Sequence, residues 1–180
     1  NGFSAVHRDR LWKSRNKPTA ERAKRIFDGV VSPDRTEALA KFLPALQLKG
    51  NAEAGRLVYT MLCAECHAPD KQLGPDLRSI TDRSREGLLA SIIDPSRQVD
   101  PKYIAYTAVF NDGRAMVGII GSESGESLQI KVPGAGDQSI NRSQLKSLTS
   151  LDQSLMPNGL EAGLTPKNMA DLLQFLQTNK

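Results

Sequence analysis

Apolar residues recur with two different periods along the chain. Leu39, Phe42, Leu43 and Leu46 stand at i, i+3, i+4 and i+7, one stripe of a helix. Ser32-Pro33-Asp34 precedes them as a start signal, with serine as cap, proline at the first helical position and an acid in the first turn. Pro44 should end or kink that helix. Asn51 caps a second helix predicted over residues 52–62, and Ser84 opens a third carrying Leu88, Leu89, Ile92 and Ile93, closed by Asp94-Pro95. Thr165-Pro166 repeats the cap-then-proline start for a last helix with Met169, Leu172, Leu173 and Leu176 on one face. Between residues 103 and 140 the period shortens. Residues 103–110, 116–120, 127–132 and 138–140 read as short strands, with Asn111-Asp112-Gly113 as a hairpin turn. They predict a small antiparallel meander of 38 residues, followed by a loop over 147–164. Upstream, residues 1–17 read as a linker or the end of a preceding unit, and Pro18-Thr19 can start a helix running to about Val31.

Composition changes this picture in two ways. Nine aromatics in 180 residues are few, and aromatics carry much of a core's buried area, so a bulky apolar cofactor would supply what they do not. The net charge of +4 is unevenly placed. Residues 1–50 hold 11 Lys+Arg against 5 Asp+Glu, and the remainder holds 13 against 15. The basic stretch lacks interleaved aromatics or a nucleic-acid motif and reads as a solvated helix face. No run of 18 apolar residues exists, which excludes a spanning helix by sequence. The chain starts at Asn1 with no charged-then-apolar segment, so it is expected to be processed or excised from a larger protein.

Both cysteines fall in Cys63-Ala64-Glu65-Cys66-His67. C-x-x-C-H is the pattern of c-type haem attachment. Two thiols about one helical turn apart reach the two vinyl groups on one porphyrin edge, and the adjacent histidine turns its ring to the iron. A redox dithiol would want a βαβ setting. A zinc site would want a second ligand pair, and His7 is the only other histidine. The second nitrogen of His67 needs an acceptor, for which the Pro75 carbonyl in Gly74-Pro75-Asp76-Leu77 is placed eight residues on. For the sixth ligand there are four methionines. Met61 sits on the motif's own helix, Met116 in the meander and Met169 in an apolar stripe. Met156 stands in a polar loop before Pro157 and is the candidate; His7 lies far upstream in a polar linker. His/Met ligation suits electron transfer. Arg78, Tyr103 and Arg97 are candidates for the propionates.

These residues resemble the class I c-type cytochromes: a helix with Gly55 and Tyr59, then C-x-x-C-H, G-P-x-L, a Met-Pro loop and a terminal helix with Phe175. The resemblance implies a mainly α cytochrome c fold in which Gly55 and Tyr59 meet residues 172–175, and it places Tyr59, Pro75, Leu77 and Met156 around the haem. The 89 residues from His67 to Met156 exceed that pattern by the β-insert. With Asp94-Pro95, Pro101-x-Tyr103, Asp112-Gly113-Arg114 and Ser154-Leu155-Met156-Pro157, the chain is similar to the planctomycete-type haem-binding domain over residues 35–178. That resemblance implies a C-terminal module of a larger exported, periplasmic protein.

The expected organisation is a basic helical leader over 1–50 and a cytochrome c domain over 51–180. One haem c, bound by Cys63, Cys66 and His67 with Met156 as second iron ligand, would carry electrons to a partner protein or an upstream dehydrogenase domain. The chain itself would not be an enzyme, and neither nucleic acid nor a membrane span is expected. A haem-based sensor or peroxidase-like domain with a labile distal ligand is the alternative. The absence of a second well-placed histidine or a distal acid speaks against it. A third possibility makes the β-insert a docking platform.

Overall fold

The computed structural model describes residues 33–179. The upstream helix expected over 18–31, Ser32, His7 and most of the basic leader lie outside them. The described part has two halves. The helical half comprises α1 (Pro33–Phe42), a 3-10 turn (Leu43–Leu46), α2 (Ala52–Leu62), the single turn α3 (Ala64–His67), α4 (Arg85–Ile93) and α5 (Pro166–Thr178). Between α4 and α5 runs a five-stranded antiparallel sheet of β1 (Ile104–Phe110), β2 (Ala115–Glu123), β3 (Ser127–Val132), β4 (Gly136–Asn141) and β5 (Leu145–Ser154), in the order β4-β3-β2-β1-β5.

The caps act as the sequence suggests. The Asn51 side chain accepts from the backbone N–H groups of Glu53 and Ala54, Ser84 accepts from Gly87, and Thr165 forms a capping box with Asn168. Pro44 ends α1 at Phe42 and tightens the next turn to 3-10 geometry. Phe42 and Ala45, which the sequence groups with the leader, are fully buried with Val58, Leu88, Leu89, Ile93, Met169, Leu172 and Leu173.

Helices α2 and α5 cross at glycine. A Cβ on Gly55 would stand 2.0 Å from the Asp171 carbonyl oxygen, and one on Gly50 would stand 2.3 Å from that of Ala170. No side chain fits there, so the backbones touch. Beside the crossing the Tyr59 and Phe175 rings lie 5.2 Å apart, tilted at 45°. The buried Asp171 carboxylate accepts from the Asn51 backbone N–H at 2.6 Å and pairs with Lys167, which ties the start of α2 to α5.

The mainly α cytochrome c fold expected from the sequence is overturned. The described chain is 38% helix and 26% strand, and its sheet is not a small appendage. The reason is β5. Residues 145–154, of which 147–154 were expected in a loop, turn back through the 3-10 turn Arg142–Gln144 and pair along the whole of β1. The sheet then has five strands and a core of its own, built on Ala108, Phe110, Leu128, Ile130 and Ile140. The meander expected over 103–140 is therefore a sheet running to Ser154. Its two ends meet where the Leu155 N–H donates to the Tyr103 carbonyl at 3.1 Å.

Candidate functional site

The C-x-x-C-H residues sit at a break between helices. Helix α2 stops at Leu62, Cys63 is both its C-cap and the N-cap of α3, and α3 ends at His67. One turn of backbone, with Cys66 N–H to Cys63 C=O at 3.1 Å and His67 N–H to the same oxygen at 2.9 Å, places the three residues at i, i+3 and i+4. Both thiols are free and half-buried. Burial, with some repulsion from Cys66, pushes the Cys63 thiol up to about 11. Burial also raises Cys66, helped by Glu65. Both are therefore neutral thiols at pH 7.

Next comes the segment that holds the histidine. Gly74 N–H donates to the Cys66 carbonyl at 2.9 Å and folds residues 68–75 back over α3. The Pro75 carbonyl oxygen then lies 2.8 Å from His67 Nδ1. A carbonyl can only accept, so Nδ1 carries the proton. Burial depresses the pKa of the ring, with the Pro75 bond opposing. A neutral imidazole with Nδ1–H leaves a lone pair on Nε2, the state a metal ligand requires. Gly74 is needed for this. A Cβ there would stand 2.6 Å from His67 Cε1 and 3.1 Å from Nε2.

The other expected residues divide. Tyr59 and Leu77 pack against the helical core that also receives Cys63. Met169 is buried in that core, Met116 packs on the sheet core, and Met61 is 71% exposed. Met156 belongs to neither cluster. It is half-buried, in a turn where its N–H donates to Ser154 Oγ. Arg97 is exposed on the loop after α4. Arg78 is committed to Asp76, with Nε and Nη2 on the two carboxylate oxygens at 3.0 and 2.7 Å. Hydrogen bonds from Arg78, side chain first and backbone second, bring the Asp76 carboxyl down to about 2. With Arg78→Ala, the Asp76 carboxyl should rise towards the ordinary 3.8 without reaching it, because the backbone N–H of residue 78 still donates to Asp76 Oδ1 at 2.9 Å; the shift is readable by NMR. An unmoved midpoint would remove Arg78 as the cause. The sign is that of a depressed acid: what the pair adds is present above the unfolded value and fades as pH falls towards about 2.

A crevice of about 580 Å³ opens between the 68–78 segment and the sheet, with Tyr103 at the junction. Its lining includes Gly74 and Arg78 but neither cysteine, nor His67, nor Met156. Across it, Lys131 of β3 donates from Nζ to Gln72 Oε1 at 2.8 Å. Gln72 holds φ at +52°, a left-handed conformation that is uncommon outside glycine. Neither residue is signalled by spacing, since they stand 59 positions apart. The same holds for Arg35 and Glu161, paired at 2.9 Å with side chains only 15% and 6% exposed.

Among the described residues no group of three or more His, Cys, Asp or Glu is placed to hold a metal ion. Two neutral thiols one turn apart, beside an imidazole with a free Nε2 lone pair, fit the donor set that a covalent haem would use. Among the described residues no helix is long and apolar enough to cross a membrane. The chain matches no family model and no curated protein.

Proposed function

We propose that this chain is an electron-transfer domain holding one covalent haem c, with Cys63 and Cys66 as the attachment points, His67 as proximal ligand and Met156 as the second iron ligand. The observation that carries the proposal is the 2.8 Å approach of His67 Nδ1 to the Pro75 carbonyl beside two free thiols. It fixes the tautomer that a ligating histidine needs. Cys63 and Cys66 would hold the group by adding across its vinyl groups, a sulfur–carbon bond forming and the thiol hydrogen going to the neighbouring vinyl carbon, with no oxidant consumed. The haem supplies one-electron redox chemistry. The chain's part is to hold the imidazole orientation through Pro75 and Gly74 and to offer a thioether from the Met156 turn. Met156 is favoured among the four methionines because two are committed to cores and Met61 is turned to solvent. By resemblance, the partner is a redox protein or an upstream dehydrogenase domain, and the setting is exported or periplasmic.

The test is a pair of absorption spectra, ferric and ferrous, with denaturing electrophoresis of the same sample. The haem should stay with the denatured chain and leave it in Cys63→Ala/Cys66→Ala. Met156→Ala should lower the reduction potential and let the ferrous form bind carbon monoxide, which the parent chain should not do. An unchanged spectrum and potential in Met156→Ala would sink the assignment of the sixth ligand. Release of haem from the parent chain on denaturation would sink the covalent attachment.

A further inference from the structure

The crevice between the 68–78 segment and the sheet is lined by none of Cys63, Cys66, His67 and Met156, and its chemistry is specific. At about 580 Å³ it has the size of a small-molecule site. Ile119 of β2, paired with Lys131 and on the same face of the sheet, gives it an apolar wall beside Tyr103, while Ile120 turns its side chain to the sheet core. The charges in the lining are Arg78, Lys102, Lys131 and Asp76. Asp76 is consumed by its two-point bond to Arg78, which leaves the two lysines as the surplus. Lys131 is the telling one. Its side chain is only 17% exposed, although lysine rarely gives up water. It is laid across the sheet with one good hydrogen bond, to Gln72 Oε1, and a looser ion pair to Asp137 at 3.8 Å. An ammonium has three donors. Gly121 makes room for the stem, since a Cβ there would come within 3.2 Å of Lys131 Cε. Lys102, on the other wall, is ion-paired only loosely, 3.9 Å from Asp100, with its ammonium 5.0 Å from the Tyr103 ring centre.

We infer that this crevice binds a small anion with a flat apolar body, an aromatic carboxylate in chemical class, with its ring against Ile119 and Tyr103 and its carboxylate on Lys131 and Lys102. A carboxylate would take up the donor capacity that Gln72 and Asp137 leave on Lys131. The inference does not rest on the haem reading, because the lining holds none of the proposed ligands.

The probes are 2-naphthoate and its neutral counterpart 2-naphthamide, followed by isothermal titration calorimetry on the haem-loaded chain and on Cys63→Ala/Cys66→Ala. The naphthoate should bind once per chain, and the amide at least about tenfold more weakly. Lys131→Met should weaken naphthoate about tenfold, as expected when a charge-assisted hydrogen bond is lost. Gly121→Leu, which presses on the Lys131 stem while leaving its charge in place, should also weaken binding, with far-UV circular dichroism reporting that both variants stay folded. Equal binding of the amide, indifference to both substitutions, or no binding at millimolar naphthoate would each overturn the site. The double cysteine variant separates the two readings: naphthoate binding that persists there supports the crevice whatever the haem result.

Discussion

Arg35→Met should lower the unfolding free energy by about 3 kcal/mol or more and the melting temperature by roughly 10 °C. Arg35 Nη1 donates to Glu161 Oε1 at 2.9 Å and to the Ile93 carbonyl at 3.2 Å. Glu161 is 5% exposed, and its second carboxylate oxygen is buried without a hydrogen-bond partner among the described residues. Removing the guanidinium leaves a carboxylate with nothing to offset its desolvation, and this is where the cost of breaking a buried pair arises. Replacing both partners should recover most of the loss, so Arg35→Met/Glu161→Leu is expected to melt near the parent. Denaturant titration of the three variants gives the coupling directly. A loss below about 1 kcal/mol in Arg35→Met would mean that water reaches Glu161. The pair also bears on the site. Glu161 lies five residues beyond Met156, and Arg35 fastens that stretch to the end of α4.

The second large effect is at the helix crossing. Gly55→Ala improves intrinsic helix propensity by about 1 kcal/mol, yet it should destabilise by about 2 kcal/mol net, because overpacking at a rigid contact costs more. The added Cβ would meet the Asp171 carbonyl oxygen at 2.0 Å and Phe175 Cβ at 2.8 Å. The obstacle is backbone of the partner helix, not the end of a flexible side chain, so α2 and α5 must move apart. Gly125→Ala is the control: nothing lies within 4 Å of its Cβ position, and its change should stay within about 0.5 kcal/mol. If the two substitutions proved equal in denaturant midpoint, the close crossing would be disproved.

What could be read from the sequence was what is local. Asn51, Ser84 and Thr165-Pro166 announce their helices because a cap acts within three residues. The first four strands were legible from alternation and from the Asn111-Asp112-Gly113 turn. The fifth was not. Its exposure pattern never reaches full burial, and Asp152 at φ +52° bulges it, so three residues of β5 (151–153) face one of β1 (Ala105) between the Ile104 and Tyr106 pairings. Its partner is about forty residues upstream, and no local signal names it. Missing that strand led to the wrong fold class. The site divides in the same way. Cys63, Cys66, His67 and Pro75 lie within thirteen consecutive positions, and their relation is one of spacing. Gln72 with Lys131, and Arg35 with Glu161, are joined across 59 and 126 positions, and a single sequence carries no record of such pairings.

The meeting of the two ends of the sheet at Tyr103 and Leu155 has a kinetic consequence. Helices α2 and α5 form the principal helix contact, yet more than a hundred residues separate them. Once the sheet has formed, its ends are held at 3.1 Å and its fifty or so residues no longer count as slack. The effective loop that α2 and α5 must close is then about half as long, which reduces the closure entropy by about 0.6 kcal/mol. Early pairing of β1 with β5 therefore favours docking of the helices that frame Cys63.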